Sequence, residues 1–373
     1  MAIVCHMTSA HPRYDTRIFI KECQSLVRAG FDVTLVVADG EGTSTKSGVT
    51  FFDIGRRRGG RIGRFLTAFW PMFYAARKID ADLYHFHDPE LIPAGILLKL
   101  QGCKVIFDVH EDLPAQIQSK TYIPRHLKPL ATILVRLIEW IATKPFNGYI
   151  AVNDEISRRF PKDRTIKVHN FPILSEITGN LIPYKDRMNE IVFIGICSEA
   201  RGVRKMIEAV NMLPDHLEAQ LSIAGPVVPS ALQEQLEKNL DCSKIKFLGW
   251  QSREQIRARL SSARIGLVVF KPEPNHVNAM PNKLFDYMGV GLPVIASDFA
   301  KWREIVEGLG CGLVVNPMSG EDIALAIEQL LGYQEEAAEM GHRGYLAATE
   351  DYNWDTEAKR LVDLYNIILQ DIN

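Results

Sequence analysis

"MPNKLFDYMGVGLPVIASD", residues 280–298, runs from a proline-led polar start through a short amphipathic segment and a Gly-x-Gly break into an apolar strand. Pro281 suits the first position of a helix, where its fixed φ fits and its missing N–H costs no hydrogen bond. The N–H groups of Asn282, Lys283 and Leu284 would then point out of the helix start unpaired. Such a terminus carries partial positive charge and binds phosphate or carboxylate. Asp286, one turn further on, can reach a polyol next to that anion. Gly289 and Gly291 end the helix, and Pro293 leads into a buried strand. The same residues also read as an ordinary helix feeding a parallel strand.

Outward from this stretch, short β-branched runs alternate with helical patterns over almost the whole chain. Strands are expected at 2–7, 32–38, 49–54, 82–87, 104–109 and 148–152. In the second half they fall at 190–195, 219–224, 244–248, 264–270, 292–296 and 312–315. Between them lie helical stripes such as Leu130, Ile133, Leu134, Leu137, Ile138 and Ile141 within 127–143. This alternation predicts an α/β protein with parallel sheets and helices on both faces. It pauses at 169–190, which is rich in Pro, Asn and Gly. Two doubly wound, Rossmann-like domains follow from that pause, 1–170 and 186–350, with a closing segment at 351–373. Ligands in such sheets bind at the carboxyl ends of the strands, so two facing domains imply a cleft.

A chain of 373 residues exceeds one ordinary core, which agrees with two domains. The formal net charge of −2 gives no global attraction to nucleic acid or membrane. The six cysteines are scattered without a Cys-x-x-Cys pair, as expected of a reduced cytoplasmic chain. The N-terminus opens on a strand and not on a leader. The longest apolar run, Pro129 to Ala142, is interrupted by Arg136 and Glu139, so no segment is expected to span a bilayer.

"PNKLFDYMGVGLPVIASD" resembles the signature of glycosyltransferase family 4, whose members are retaining enzymes of the GT-B fold. "WREIVEGLGCGLVVNP" (302–317), "IVFIGICSEARGV" (191–203) and "KIKFLGW" (244–250) continue that likeness. "HPRYDTRIFIKECQSLVRAGFDVTLV", "DLYHFHDPELIPAG" and "VIFDVHEDLP" are similar to a branch that builds bacterial surface polysaccharides. The resemblance implies a donor diphosphate held at the helix start by the amides of Asn282, Lys283 and Leu284 and by basic side chains. The family's ribose acid corresponds to Asp286, and its earlier sugar-contacting acid to Asn278, which carries no charge. The family's first phosphate-binding Arg falls on Ile196 and its Lys on Arg201, leaving Arg201 to bind phosphate, with Lys283 as a second charge or a solvated one. Gly195, Gly225, His276 and Trp250 complete the expected donor side, although Trp250 suits a core equally well.

"HFHD" (85–88) and "DVHED" (108–112) end two strands. Taken alone they suggest a metal site. The family generally needs none, and neither metal nor cofactor is expected; the nucleotide diphosphate sugar is a substrate. Alternation puts His85 and His87 on one face, one of them structural. His110 aligns with the family's active-site histidine, which stabilises charge near the transferred sugar. Glu111 and Asp112 are candidates for handling the acceptor proton. His11, Asp15, Arg17, His87 and Asp88 are assigned to the acceptor side or the cleft, with helix capping the alternative for Asp15. The segment 56–78 holds seven basic residues and no acid. Arg56, Arg57, Arg58, Arg61 and Arg64 there suit an anionic membrane surface or an acceptor diphosphate, the alternative being a solvated loop beside a core helix.

The sequence thus predicts transfer of a sugar, from a UDP-sugar, to a polyprenyl-diphosphate-linked glycan in bacterial surface polysaccharide synthesis. The enzyme would be cytoplasmic, with membrane contact at its surface only, and would have no nucleic-acid partner. A UDP-sugar epimerase and a non-catalytic nucleotide-sugar-binding protein are the competing readings.

Overall fold

The computed structural model describes residues 1–56, 69–110, 112–119, 123–179 and 181–370. The chain divides into two compact units. Unit 1 is Met1–Asn170 together with Asp355–Asn373, and unit 2 is Phe171–Trp354.

Among the described residues, unit 1 carries eight strands: β1 (Ile3–Met7), β2 (Asp32–Val37), β3 (Ser44–Lys46), β4 (Val49–Asp53), β5 (Leu83–Phe86), β6 (Lys104–Val109), β7 (Gly148–Ala151) and β8 (Thr165–Lys167). They lie in the order β3-β4-β2-β1-β5-β6-β7-β8, all parallel except β3, which runs antiparallel to β4. Unit 2 holds β9 (Glu190–Ile194), β10 (Gln220–Ala224), β11 (Ile245–Gly249), β12 (Ile265–Val268), β13 (Val294–Ser297) and β14 (Gly312–Val315). Their order is β11-β10-β9-β12-β13-β14, parallel throughout.

In each sheet the chain winds one way from its first strand and then returns to wind the other way. The reversal falls between β1 and β5 in unit 1, and between β9 and β12 in unit 2. Loops diverge at such a switch point and leave a crevice at the strands' carboxyl ends. In unit 1 the register pairs Met7 with Phe86 and Phe86 with Phe107, so the loops after β1, β5 and β6 emerge side by side.

Five of the helices bear on function: α1 (Phe69–Ile79), α2 (Lys128–Ala142), α3 (Val203–Met212), α4 (Asn282–Gly289) and α5 (Trp354–Gln370). In α4, Leu284, Phe285, Tyr287 and Met288 are buried, whereas Asn282, Lys283 and Asp286 stay on the open side. Burying apolar side chains of that size stabilises the helix by about 1.5–3 kcal/mol each. α5 returns to unit 1 and seats Leu361, Leu364, Tyr365 and Ile368 in its interior.

The expected strands appear within a few residues of their bounds, whereas β3 and β8 were not anticipated. α2 follows the expected period, but its stripe faces outward. Leu130, Ile133, Leu134, Leu137 and Ile141 are exposed, with Trp140 beside them. α1, the helix beside the basic segment, is only in part a core helix: Phe73 is buried, whereas Trp70 and Tyr74 are exposed. Arg56 is exposed, and Arg57, Arg58, Arg61 and Arg64 lie outside the described residues.

Candidate active site

In unit 2, β9 ends at Gly195, whose φ of +102° a side chain would strain. A Cβ on Gly225, at the end of β10, would meet the Gly195 carbonyl oxygen at 2.2 Å, so the two strand ends require glycine to approach so closely. A Cβ on Gly195 itself would meet Lys283 Nζ at 3.4 Å and Arg201 Nη1 at 3.9 Å. Two cations from separate elements therefore converge on one glycine.

Arg201 closes the turn before α3, and its Nη1 donates to the Ile196 carbonyl over 2.9 Å. The Lys283 ammonium lies 4.6 Å from the centre of the Phe193 ring and 5.0 Å from that of Phe270. Burial, and then the Arg201 charge, bring its pKa down from the usual lysine value to about 7. Neither side chain forms an ion pair among the described residues. The neighbouring acid Glu199 is occupied by Arg204 and Lys271, at 2.8 and 3.2 Å.

The start of α4 departs from expectation. Pro281 stands at the N-cap, one place earlier than predicted, and its carbonyl accepts the Leu284 N–H at 3.0 Å. Leu284 is thus removed from the set of open donors, which leaves Asn282 and Lys283. The helix is held by Tyr287, whose hydroxyl accepts the Ile194 N–H at 3.0 Å, and the preceding loop by Trp302, whose indole donates to the Ala279 carbonyl at 2.7 Å. His276 is buried with Nδ1 at the Lys271 carbonyl, 3.1 Å away, and Asn278 is exposed. Trp250 is 78% exposed, which overturns its core alternative.

Unit 1 gathers a different chemistry at its own switch point. Asp108, on β6, is fully buried and takes a two-pronged bond from Arg17, at 3.0 and 2.9 Å. Burial pushes the Asp108 carboxyl up, but the Arg17 charge and the neighbouring imidazoles more than offset it and hold it well below the usual carboxylate range. His87 Nδ1 lies 3.0 Å from Asp108 Oδ2, and His110 Nδ1 lies 3.3 Å from the same oxygen. The far nitrogen of His110 meets His11 Nε2 at 3.2 Å. A buried ionised carboxylate thus stands behind a partly open imidazole.

Several expected cleft residues have other employment. Arg17 is buried, its guanidinium committed to Asp108, Glu22 and the Val168 carbonyl, because β6 brings a carboxylate beneath it. Asp88 is buried and clamps the loop after β1, accepting from Thr8 Oγ1 at 2.9 Å and from the Ser9 and Ala10 N–H groups at 2.5 and 3.0 Å. Asp15 takes its capping alternative, accepting from the N–H groups of Arg17 and Ile18. Asp112 pairs with Arg159 at 3.1 Å and accepts the Ala115 N–H, so its charge is already answered. His87 is buried behind His110, and Glu111 lies outside the described residues. A pocket lined by His11, His110, Leu113, Val135 and Ile138 opens in front of this group. Glu22 and Tyr365 escaped the sequence reading as site residues, since nothing local in their stretches marks them, and Asp108 stood within DVHED without a role of its own.

Residues 17–169 match the family described as Glycosyltransferase Family 4, and residues 188–332 the one described as Glycosyl transferases group 1. Over 196 residues the chain is 26% identical to an uncharacterised glycosyltransferase of Methanocaldococcus jannaschii. That match takes in 51% of this chain and 47% of the relative, so it spans about half the relative's length. The sucrose-phosphate synthase of Thermosynechococcus elongatus superposes with a TM-score of 0.77 at 16% identity, over 100% of both chains. HepE of Anabaena, solved with UDP, gives 0.72 at 13% identity, over 98% of this chain and 100% of that one. At such identities these likenesses establish the fold, two parallel α/β sheets of the GT-B type.

Proposed function

We propose that the chain is a group 1/family 4 glycosyltransferase, as the match of each half to one of those families supports, and that it moves a sugar, with retention, from a UDP-sugar to a lipid-linked glycan. The observation that carries the donor half is the convergence of Arg201 and Lys283 on Gly195 beside the start of α4. Two cations without ion-pair partners among the described residues, next to the N–H groups of a helix start, form a receptor for a diphosphate. Asp286, on the same open side of α4, is suited to the ribose hydroxyls. HepE, of the same fold, was solved with UDP, in keeping with a uridine nucleotide here.

His110 supplies the reacting end. Its ring, backed by Asp108, is suited to hydrogen-bond the transferred sugar and stabilise the charge that develops as the glycosidic bond to phosphate breaks. No protein nucleophile is assigned.

The acceptor half rests on α2. Val135 and Ile138 of this helix line the pocket before His110, and its other side exposes Leu130, Ile133, Leu134, Leu137 and Ile141. Arg125, Arg136 and Lys144 are exposed around that stripe, whereas the single acid of the helix, Glu139, is buried. An apolar stripe rimmed by cations fits the surface of an anionic bilayer. We read the acceptor as a polyprenyl-diphosphate-linked glycan of a bacterial surface polysaccharide, reached by an enzyme lying on the cytoplasmic face of the membrane.

Two measurements test the halves separately. Asp286→Asn should weaken UDP binding by about three- to tenfold, one neutral hydrogen bond's worth, and leave inorganic pyrophosphate binding unchanged. Equal UDP affinity in calorimetry would remove the ribose from α4. Replacing Leu130, Ile133 and Leu137 by Ser should abolish co-sedimentation with phosphatidylglycerol vesicles and spare UDP binding. Undiminished sedimentation would remove the membrane from α2.

A further inference from the structure

The interior of unit 1 holds a second cluster, which shares His87 with the group behind His110. His6 on β1, His85 and His87 on β5 and just past its end, and Glu22 in the π-helical segment Thr16–Cys23 are all fully buried or nearly so. One donor atom from each lies within 4.8 Å of all the others. His6 Nδ1 and His87 Nε2 are 2.9 Å apart, and Glu22 Oε2 is 3.9 Å from His87 Nε2 and 4.0 Å from His85 Nδ1. Tetrahedral zinc, with ligand bonds of about 2.0–2.1 Å, sets its donors roughly 3.3 Å apart. The separations in the cluster bracket that value, and His85 Nδ1 also meets the Tyr365 hydroxyl at 2.6 Å.

Hydrogen bonding alone leaves the cluster incomplete. Both Glu22 oxygens and His85 Nε2 are buried without a hydrogen-bond partner. Arg17 Nε approaches Glu22 Oε1 at 3.1 Å, but the guanidinium is engaged by Asp108 and the Val168 carbonyl. Unpartnered polar atoms in an interior are costly, and a cation among them would offset that cost.

The surroundings match those of a metal ligand set. His87 holds Nδ1 against the Asp108 carboxylate, which leaves Nε2 as the acceptor facing His6 Nδ1 in the cluster. His6 holds Nε2 against the Tyr365 hydroxyl at 3.0 Å and turns Nδ1 inward. A carboxylate or hydroxyl behind each ligating imidazole is the usual outer shell of such a site.

We propose that His6, Glu22, His85 and His87 bind one divalent transition-metal ion, zinc by the chemistry of the donor set, as a closed structural site inside unit 1. Three imidazoles and one carboxylate fill four positions, so the ion stabilises the fold and takes no part in catalysis. Being sealed, the site loads as the chain folds.

Tag-free full-length protein, refolded with and without ZnCl2 or CoCl2, tests this. One metal per chain by elemental analysis, with the intense visible absorption of tetrahedral cobalt, is expected. Glu22→Gln keeps the shape but removes the charged ligand, and should cut metal content several-fold and erase the melting-temperature gain given by zinc. His216→Gln, at an exposed turn in unit 2, should retain both. A chain that takes up no metal on refolding, or a Glu22→Gln variant that loads zinc and cobalt as the wild type does, would overturn the site.

Discussion

The two switch points answer charge in opposite ways. In unit 2, Arg201 and Lys283 crowd over Gly195 without an ion-pair partner among the described residues, and Lys283 is pushed down to about 7 by burial and by its neighbour. In unit 1, the Arg17 cation is answered by the buried Asp108 carboxylate, which also faces the imidazoles of His87 and His110. The first is an unsatisfied charge held ready for an anionic guest. The second is a paired charge that stands behind one presented histidine. A surplus of one sign at a crevice indicates a ligand, whereas balanced buried charge indicates positioning.

The sharpest way to break this contrast is to remove the presented histidine. His110→Ala should lower turnover by about 10²–10⁴-fold, the span typical of a lost acid–base or electrostatic contributor, with UDP affinity intact in calorimetry. A matching fall in UDP affinity would place the nucleotide in unit 1.

Arg201→Ala is the counterpart. A hydrogen bond to a charged group is worth about 1.5–3 kcal/mol, so UDP should bind about ten- to a hundredfold more weakly. Calorimetry at fixed salt reads this directly, and an unchanged affinity would mean that Arg201 is an ordinary surface cation.

Lys283 sharpens the contrast through pH. Below about 7 the lysine is charged in both free and bound protein, and UDP-glucose affinity should be level. Above that value the free protein has lost its proton, whereas the diphosphate favours the charged form and restores it. Binding then takes up a proton, and affinity should fall by up to about tenfold per pH unit as pH rises. Calorimetry in two buffers of different ionisation enthalpy, at a pH above 7, should show that uptake, and Lys283→Met should abolish it.

Legibility followed the range of the interactions. The helix start at 280–298 was readable because proline, glycine and helical spacing announce its geometry, whereas Arg201 was placed through the family resemblance. The parallel strands were readable because burial on both faces makes them continuous β-branched runs. β3 was missed because Ser44–Lys46 is a polar, exposed edge, and β8 because three residues carry no period. The network behind His110 is assembled from residues 6, 17, 22, 87, 108 and 365, and no local pattern encodes such contacts. The stripe on α2 was readable as a helix face, but periodicity does not say whether a neighbour covers it.

The path of the chain also orders its synthesis. Tyr365 of α5 bonds His85 Nδ1 at 2.6 Å and His6 Nε2 at 3.0 Å, and Glu357 accepts from the His169 N–H at 2.9 Å. Unit 1 is begun first but is completed by the last helix described, after all of unit 2 has left the ribosome. Domains tend to fold as they emerge, so unit 2 closes while its elder neighbour still exposes a row of buried-type histidines to water. A nascent chain stalled before residue 354 would leave His6 and His85 without the Tyr365 hydroxyl and His169 without Glu357.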